Sequence, residues 1–298
     1  MDLTLTEDQA LIQRTAREFL ASRSGSDVWK DVTSLGWPGL GFEEPFGFLE
    51  TCLLIEELGR AGVPSPMVTV SSGFAAPSLR AEIASGAVYP YVAGPDALVP
   101  YAAEAAGFVV AGESGMSVVS SEEVTCTPVE VVGLEPKYRV RISSAGAALP
   151  GVTRESLEAY GAAATCAEMV GGAQGVLDRT VAYAKQREQF GKPIGAFQAV
   201  QHHCANMAID VLGARFIAYE AIWRLGRGLD AAVEVSVAKS WVSEAYERVC
   251  ALGHQVHGAI GFTAEHDLHR FTRHATASAL NYGDADTHID RLATLLGI

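Results

Sequence analysis

Charge is scarce in this sequence: only 19% of its 298 residues are charged, against roughly 25% in an average globular domain. A surface so poor in charge fits either a large core or extensive cover by another subunit. Positive charge is scarcer still, with 22 Lys and Arg against 35 Asp and Glu and a formal net charge of -13. Binding nucleic acid or an anionic membrane needs a basic face, so both are disfavoured, while an anionic ligand held by a few local cations remains open. Cysteine pairing is also lacking. The five cysteines (Cys52, Cys126, Cys166, Cys204 and Cys250) are odd in number, scattered and without a CxxC. They are expected to be reduced, buried thiols of a cytosolic protein. No apolar run approaches the roughly 18 residues of a membrane-spanning helix. The opening residues, Met1 to Glu7, have neither the basic nor the apolar region of a signal peptide, so a cytoplasmic location is expected. Internal repeats and low-complexity linkers are absent.

What is present reads as three regions. Length suggests one to two domains with a sizeable core, and 49% of the residues are hydrophobic. Thr6-Glu7-Asp8-Gln9 is a capping-box pattern, followed by Ile12, Ala16, Phe19 and Leu20 on one helical face. Further helices are expected over Leu49–Arg60, stopped by Ala61-Gly62-Val63-Pro64, and near Ala76–Ala84. From about Tyr89 short β-branched stretches predict strands at Phe108–Ala111, Met116–Val119, Val129–Val132 and Tyr138–Ile142. After Pro150-Gly151 long helices are expected at Thr153–Arg187, Pro193–Arg227 and Asp230–Gly258, with shorter ones at Glu265–Ala277 and Thr287–Leu296. Short connections between long helices imply antiparallel neighbours, hence a bundle. The expected organisation is a helical region 1–87, a small β region 88–150 and a helical bundle 151–298, a mainly α fold with a small β domain.

Three stretches carry candidate chemistry. Tyr183 to Gln201 reads as a helix end, a tight Gly/Pro turn and the next helix start. Arg187 there complements the helix dipole, and its planar fork suits a pyrophosphate. Phe190 offers an aromatic wall, and Gln198 a donor and an acceptor. An ordinary helix-turn-helix ending in Arg explains the same residues. Gln255-Val256-His257-Gly258-Ala259-Ile260-Gly261-Phe262 places small residues at a helix end, where a ligand can approach the backbone; a glycine-rich C-cap is the plainer reading. In Glu265 to His274, His266 and His269 stand three apart without a third ligand of fixed spacing, so a polar helix face is expected and no metal. His202-His203 reads the same way.

Together the first two stretches resemble the C-terminal bundle of the acyl-CoA dehydrogenase family, with its R-x-Q/T-F-G…F/H-Q turn and its Q-x-x-G-G-x-G-F motif. Leu35-Gly36-Trp37-Pro38-Gly39-Leu40 and Glu56-Glu57-Leu58-Gly59-Arg60 resemble the family's LGW and EELGR helices. The resemblance covers most of 1–85 and nearly all of 151–298. It implies an N-terminal helical domain, a reduced middle β-sheet and a C-terminal four-helix bundle. It implies FAD, with Arg187, Gln189, Phe190, Gln198, Gln255, Val256, Gly258 and Ala259 on the adenine-pyrophosphate half of a flavin seated mainly in a neighbouring subunit. The implied reaction is α,β-desaturation of an acyl-CoA, with an electron-transfer flavoprotein or similar acceptor.

The departures shape the expectation further. The family's T-E-P-x-A-G-S-D loop and W-I-T-N strand, which hold the flavin ring, are missing; Val92 to Ala97 is a remnant. Tyr282 stands where the family's usual catalytic Glu is expected, and a phenol is a poor base at neutral pH. Asp284 and Asp286 lie close in register. Some members carry the base on the first bundle helix, at a position matching Gly161 here. Glu168, seven residues on, is the remaining candidate, either as a base or as a carboxylate hydrogen-bonded between helices. The resemblance therefore implies the short subunit of a heteromeric α2β2 enzyme of the actinobacterial sterol-catabolism type, its base coming from a longer partner and a steroid side-chain CoA ester as substrate. Two alternatives stand beside it: a flavin-free scaffold or acyl-CoA-binding subunit, and a self-sufficient homo-oligomer using Glu168.

Overall fold

The computed structural model describes residues 4–21, 28–112 and 115–298. Helix α1 (Glu7–Ala21) begins at the expected capping box. The Gln9 amide donates to Thr6 Oγ1 at 3.2 Å, and the Thr6 amide to Gln9 Oε1 at 2.9 Å. Ala16 and Leu20 of its apolar stripe are buried. Helices α2 (Val28–Ser34) and α3 (Trp37–Leu40) lead to α4 (Phe48–Ala61). A 3-10 turn at Pro66–Ser71, α5 (Ser72–Ala75) and α6 (Arg80–Ala84) complete this region.

The Glu56-Glu57-Leu58-Gly59-Arg60 run ties α4 to three neighbours. Glu56 accepts from Arg215 at 2.9 Å and Tyr219 at 2.5 Å, Glu57 from Arg17 at 2.7 and 3.0 Å, and Arg60 donates to Asp178. Gly59 sets α4 directly on its neighbour, because a Cβ there would collide with the Glu168 carbonyl. All five residues of this motif-like run are thus occupied by packing.

Seven short strands follow: β1 (Tyr91–Val92), β2 (Leu98–Pro100), β3 (Gly107–Gly112), β4 (Gly115–Ser120), β5 (Val124–Val129), β6 (Lys137–Ile142) and β7 (Ala147–Ala148). They form two small sheets, ordered β1-β3-β4-β7 and β2-β6-β5, with only β1 and β3 parallel. Val92, Val99, Ala102, Phe108 and Val140 make their shared core. The strand expected at Val129–Val132 lies instead at Val124–Val129. It pairs with β6 until Val129 meets Lys137. The next partner would be Pro136, which has no N–H to extend the ladder.

The rest is helical. Helix α7 (Arg154–Gln186) is capped by Thr153, whose Oγ1 accepts from the Ser156 amide at 3.0 Å. A two-residue hairpin, β8 (Glu188–Gln189) with β9 (Lys192–Pro193), joins it to α8 (Gln198–Gly226). Helix α8 starts five residues later than the sequence suggests, because Pro193 closes the hairpin and Ile194–Ala196 form a 3-10 turn. Helix α9 (Ala232–His257), a 3-10 turn at Gly258–Phe262, α10 (Leu268–Leu280) and α11 (Ala285–Leu296) follow. The core of the bundle sits on α9, which packs against α7, α8, α10 and α11. Cys52, Cys166 and Cys250 are buried free thiols, but Cys126 and Cys204 are partly exposed. No described helix is long and apolar enough to cross a membrane.

Candidate functional site

Two places concentrate unspent chemistry: one end of the bundle, and a cavity between the bundle and the small sheets.

At the bundle end, α7 stops at Gln186 and the hairpin turns over Phe190 and Gly191, with φ of 54° and 77°. Two consecutive positive φ values are the signature of the tight turn that matches strand twist. Glycine takes that conformation freely; a phenylalanine there is strained. Phe190 is nonetheless 92% exposed, so burial does not offset this strain. Arg187 is exposed, and no hydrogen bond or ion pair engages its guanidinium among the described residues. Gln189 and Gln198 are exposed beside it. The second segment comes to the same end, because Tyr183, one turn before Arg187, stacks on His257 at 4.4 Å between ring centroids. Gln255, Gly258 and Ala259 are exposed, while Val256 is buried. Gly258 has φ 66° and ψ -146°, a region essentially closed to residues with a Cβ. A Cβ built there meets nothing within 4 Å, so the backbone faces open space. The eight residues picked from sequence therefore share one end of the bundle, and seven of them are exposed. The free planar cation and the open glycine backbone are groups able to pair with a phosphate, and the exposed ring and amide side chains stand at the same end of the bundle.

The cavity, of about 570 Å³, lies between the sheet region and α7, α10 and α11. Its inner wall carries Tyr282 (φ 59°), whose ring rests on Gly161 so closely that a Cβ at Gly161 would overlap it. The two positions weighed for a base are thus one place in space, and neither holds a carboxylate. Burial, reinforced by Glu135, pushes the Tyr282 phenol above its usual value, so still less of the phenolate that could act as a base is present at neutral pH. Tyr91 stacks parallel to Tyr282 at 6.2 Å and donates to Glu158 at 3.1 Å; Glu158 also accepts from Arg291 at 2.6 Å. Asp284 is committed to capping α11, accepting from the Thr287 amide at 2.9 Å. Glu168 is buried with 3% exposure and is paired with His274 at 3.1 Å, joining α7 to α10. It is not among the residues lining the cavity; it joins the helices through an ion-pair contact, while its Oε2 makes no hydrogen bond.

Sequence reasoning missed the groups that shape the cavity. Lys137 donates to Asn281 at 2.8 Å and pairs with Glu135 at 3.1 Å. Lys239, wholly buried, donates to the carbonyls of Ala279 (2.7 Å) and Gly283 (2.8 Å) and to Ser243 (3.2 Å). His288 Nε2 lies 3.1 Å from the Tyr282 carbonyl. The turn bearing Asn281 and Tyr282 is therefore clamped from below. One signal existed for Lys239: it falls on the apolar stripe of Val235, Ala238, Val242, Tyr246 and Val249.

The profile "Acyl-CoA dehydrogenase, C-terminal domain" matches residues 152–296. The acyl-CoA dehydrogenase IpdE2 of Mycobacterium tuberculosis is 31% identical over 280 residues, covering 88% of this chain and 85% of that protein. This chain belongs to the acyl-CoA dehydrogenase family. IpdE2 of Mycolicibacterium smegmatis is 29% identical over 309 residues, covering 95% and 94% of the two chains. A solved structure named "Tcur3481-Tcur3483 steroid ACAD G363A variant" shares the fold, with a TM-score of 0.87 over 99% of both chains at 23% identity. In this acyl-CoA dehydrogenase, N-terminal helices are followed by a small sheet region and a C-terminal helical bundle.

Proposed function

We propose that this chain is one subunit of a heteromeric FAD-dependent acyl-CoA dehydrogenase that desaturates an acyl-CoA at the α,β position. The observation that carries this reading is the unpaired Arg187 beside a fully presented Phe190 held in strained backbone. Arg187, Gln189, Phe190 and Gln198, with Gln255, Val256, Gly258 and Ala259, hold the adenine-pyrophosphate half of the flavin. The bound FAD supplies the hydride acceptor. This chain's part is to bind and orient it: the guanidinium pairs with the diphosphate, and the open Gly258 backbone allows close approach. Because Tyr282 packs on Gly161 where a carboxylate base would stand, a longer partner subunit supplies the base, in an assembly of the α2β2 kind. A steroid side-chain CoA ester is the substrate this reading favours, supported by the name of the structure of like fold.

A flavin-free scaffold or acyl-CoA-binding subunit is the second reading, favoured by Ala259 where the family motif has a second glycine and by the missing ring-binding loops. Co-purification with the longer partner separates the two. The complex is expected to be yellow and to lose its visible flavin absorbance in Arg187→Ala, while keeping its mass. A colourless wild-type complex supports the scaffold. Full flavin occupancy in Arg187→Ala overturns the proposed reading.

A further inference from the structure

The bundle end carries a set of buried groups that the flavin reading does not use. His254 and His257 lie one turn apart at the end of α9, both buried. Each ring is tied at one nitrogen: His257 Nδ1 lies 2.8 Å from the Gly253 carbonyl, and His254 Nε2 lies 2.7 Å from Thr272 Oγ1 on α10. The other nitrogens, His257 Nε2 and His254 Nδ1, are buried without a hydrogen-bond partner. A bond to a carbonyl needs the His257 proton on Nδ1, so its Nε2 is a bare lone pair in a neutral ring.

The turn at Gly258–Phe262 rests on these two rings. Phe262 stacks on His254 at 4.2 Å between ring centroids, although 70% of Phe262 is exposed. Gly261 is the one buried residue of the turn. A Cβ there would come within 3.0 Å of His254 Nδ1 and of Leu268, and 3.1 Å from the His257 Cβ. Gly258, Ala259 and Ile260 are exposed. Gly258, with φ of 66° and ψ of -146°, is a hinge at the start of the turn.

The surroundings do not compensate a proton on either ring. Helix α7 presents Tyr183, stacked on His257, with Arg187 one turn beyond it, and Arg179. The segment before α10 presents His266, edge-on to His257 at 4.8 Å, and Asp267, whose carboxylate is already paired with Arg179 at 2.9 Å. Glu265 is exposed and bonded to Thr263. Helix α10 adds His269, 2.7 Å from the His266 carbonyl, and the neutral Thr272. Burial lowers both imidazoles below 6.5. His266 and His269 add to this at His254; at His257 the Gly253 carbonyl and Asp267 oppose it, and His266 and His254 add to it. Among the described residues, no three such side chains are placed to hold a metal ion.

We infer that His254 and His257 form an acid-operated latch: neutral, they hold the Gly258–Phe262 turn against α9 and α10, and protonated, they release it. A proton on either ring creates an N–H donor at a buried nitrogen that has no acceptor. Lifting the turn at Gly258 brings that donor to water. In the lifted state the imidazoles titrate near 6.5, so below that pH the open form binds more protons than the closed one. Closure is therefore fully favoured above about 6.5 and is lost as pH falls toward the closed-state values. The turn bears Gly258 and Ala259, so acid would also weaken their hold on a nucleotide; that consequence alone rests on the flavin reading.

Hydrogen exchange on the full chain at pH 7.5 and 5.5, corrected for intrinsic exchange rates, tests the latch. The amides of Gly258 and Thr263, bonded to the His254 and Ile260 carbonyls, should lose protection by up to about tenfold per imidazole, or about a hundredfold for the pair. Helix α4 should keep its protection. The double variant His254→Gln/His257→Gln has nothing to titrate there, so its turn should open equally at both pH values. If its turn is open throughout, the wild-type imidazole resonances decide, assigned from the single variants: both rings should titrate below 6.5. The latch is overturned by equal protection of the turn at both pH values, by a loss shared with α4, by a loss that persists in the double variant, or by either ring titrating at 6.5 or above. Neither measurement reads flavin, so failure here leaves the proposed enzymatic role standing.

Discussion

Replacing Lys239 with methionine isolates the buried clamp beneath the cavity. The ammonium is wholly inside the bundle, and burial, the largest cause, lowers it from 10.5 to about 8, against weaker opposing pulls from Cys166 and Asp284. In the unfolded chain the same amine titrates near its ordinary value. Between about pH 8 and 10.5 the unfolded state therefore binds more protons than the folded state, and stability attributable to this group rises with pH. The interval of about 2.5 pH units, at about 1.36 kcal/mol each, sets a ceiling of roughly 3 kcal/mol. Integrated through the two titrations, the gain is about 2 kcal/mol by pH 9.5. Other groups titrate in this range, including tyrosines whose buried phenols act in the opposite direction, so only the difference between wild type and Lys239→Met is diagnostic. Urea unfolding of both proteins at intervals from pH 7 to 10 measures it. The wild type should gain about 2 kcal/mol on the variant between pH 7 and 9.5. At neutral pH the sign of the difference depends on two opposed effects: the variant relieves a buried charge but orphans the Ala279 and Gly283 carbonyls. A stability difference that stays flat with pH would refute a buried, charge-bearing clamp.

Gly161→Ala should couple to Tyr282. Alone it forces the ring aside and should destabilise by about 1–3 kcal/mol; combined with Tyr282→Leu it should be neutral or stabilising by up to about 1 kcal/mol, from helix propensity, as a double-mutant cycle in urea would show. The Glu168–His274 pair gives a second pH signature. Burial opposes protonation of His274, but Glu168 outweighs it and the pKa lies above 6.5. The pair's contribution is then fully present below about 6.5 and is lost as pH rises through the folded value. Imidazole resonances should titrate lower in Glu168→Gln, and the wild-type advantage over that variant should be larger at pH 6 than at pH 9; an unchanged His274 titration would remove the ion pair from the account.

Local chemistry was readable in advance wherever it acts within one or two turns of chain. The Thr6 cap, the long helices of the bundle and the turn that follows Arg187 follow from residue order alone, because capping and helical periodicity are short-range. Boundaries failed where a partner decides them. Val124–Val129 is a strand because β6 faces it, and it stops because Pro136 cannot donate. The Pro193 start of α8 failed because that proline closes a hairpin first.

By itself the sequence determined the family, the mainly helical architecture and the eight residues gathered at the bundle end, since all of these are carried by ordered motifs and periodic apolar faces. Only the tertiary structure decided that Tyr282 and Gly161 are one location, that Glu168 is bound to His274, and that Lys137, Glu135, Asn281 and Lys239 shape a single cavity. Those residues are separated by up to 146 positions in contacting pairs, and no spacing rule links side chains that meet only when sheet and bundle pack together.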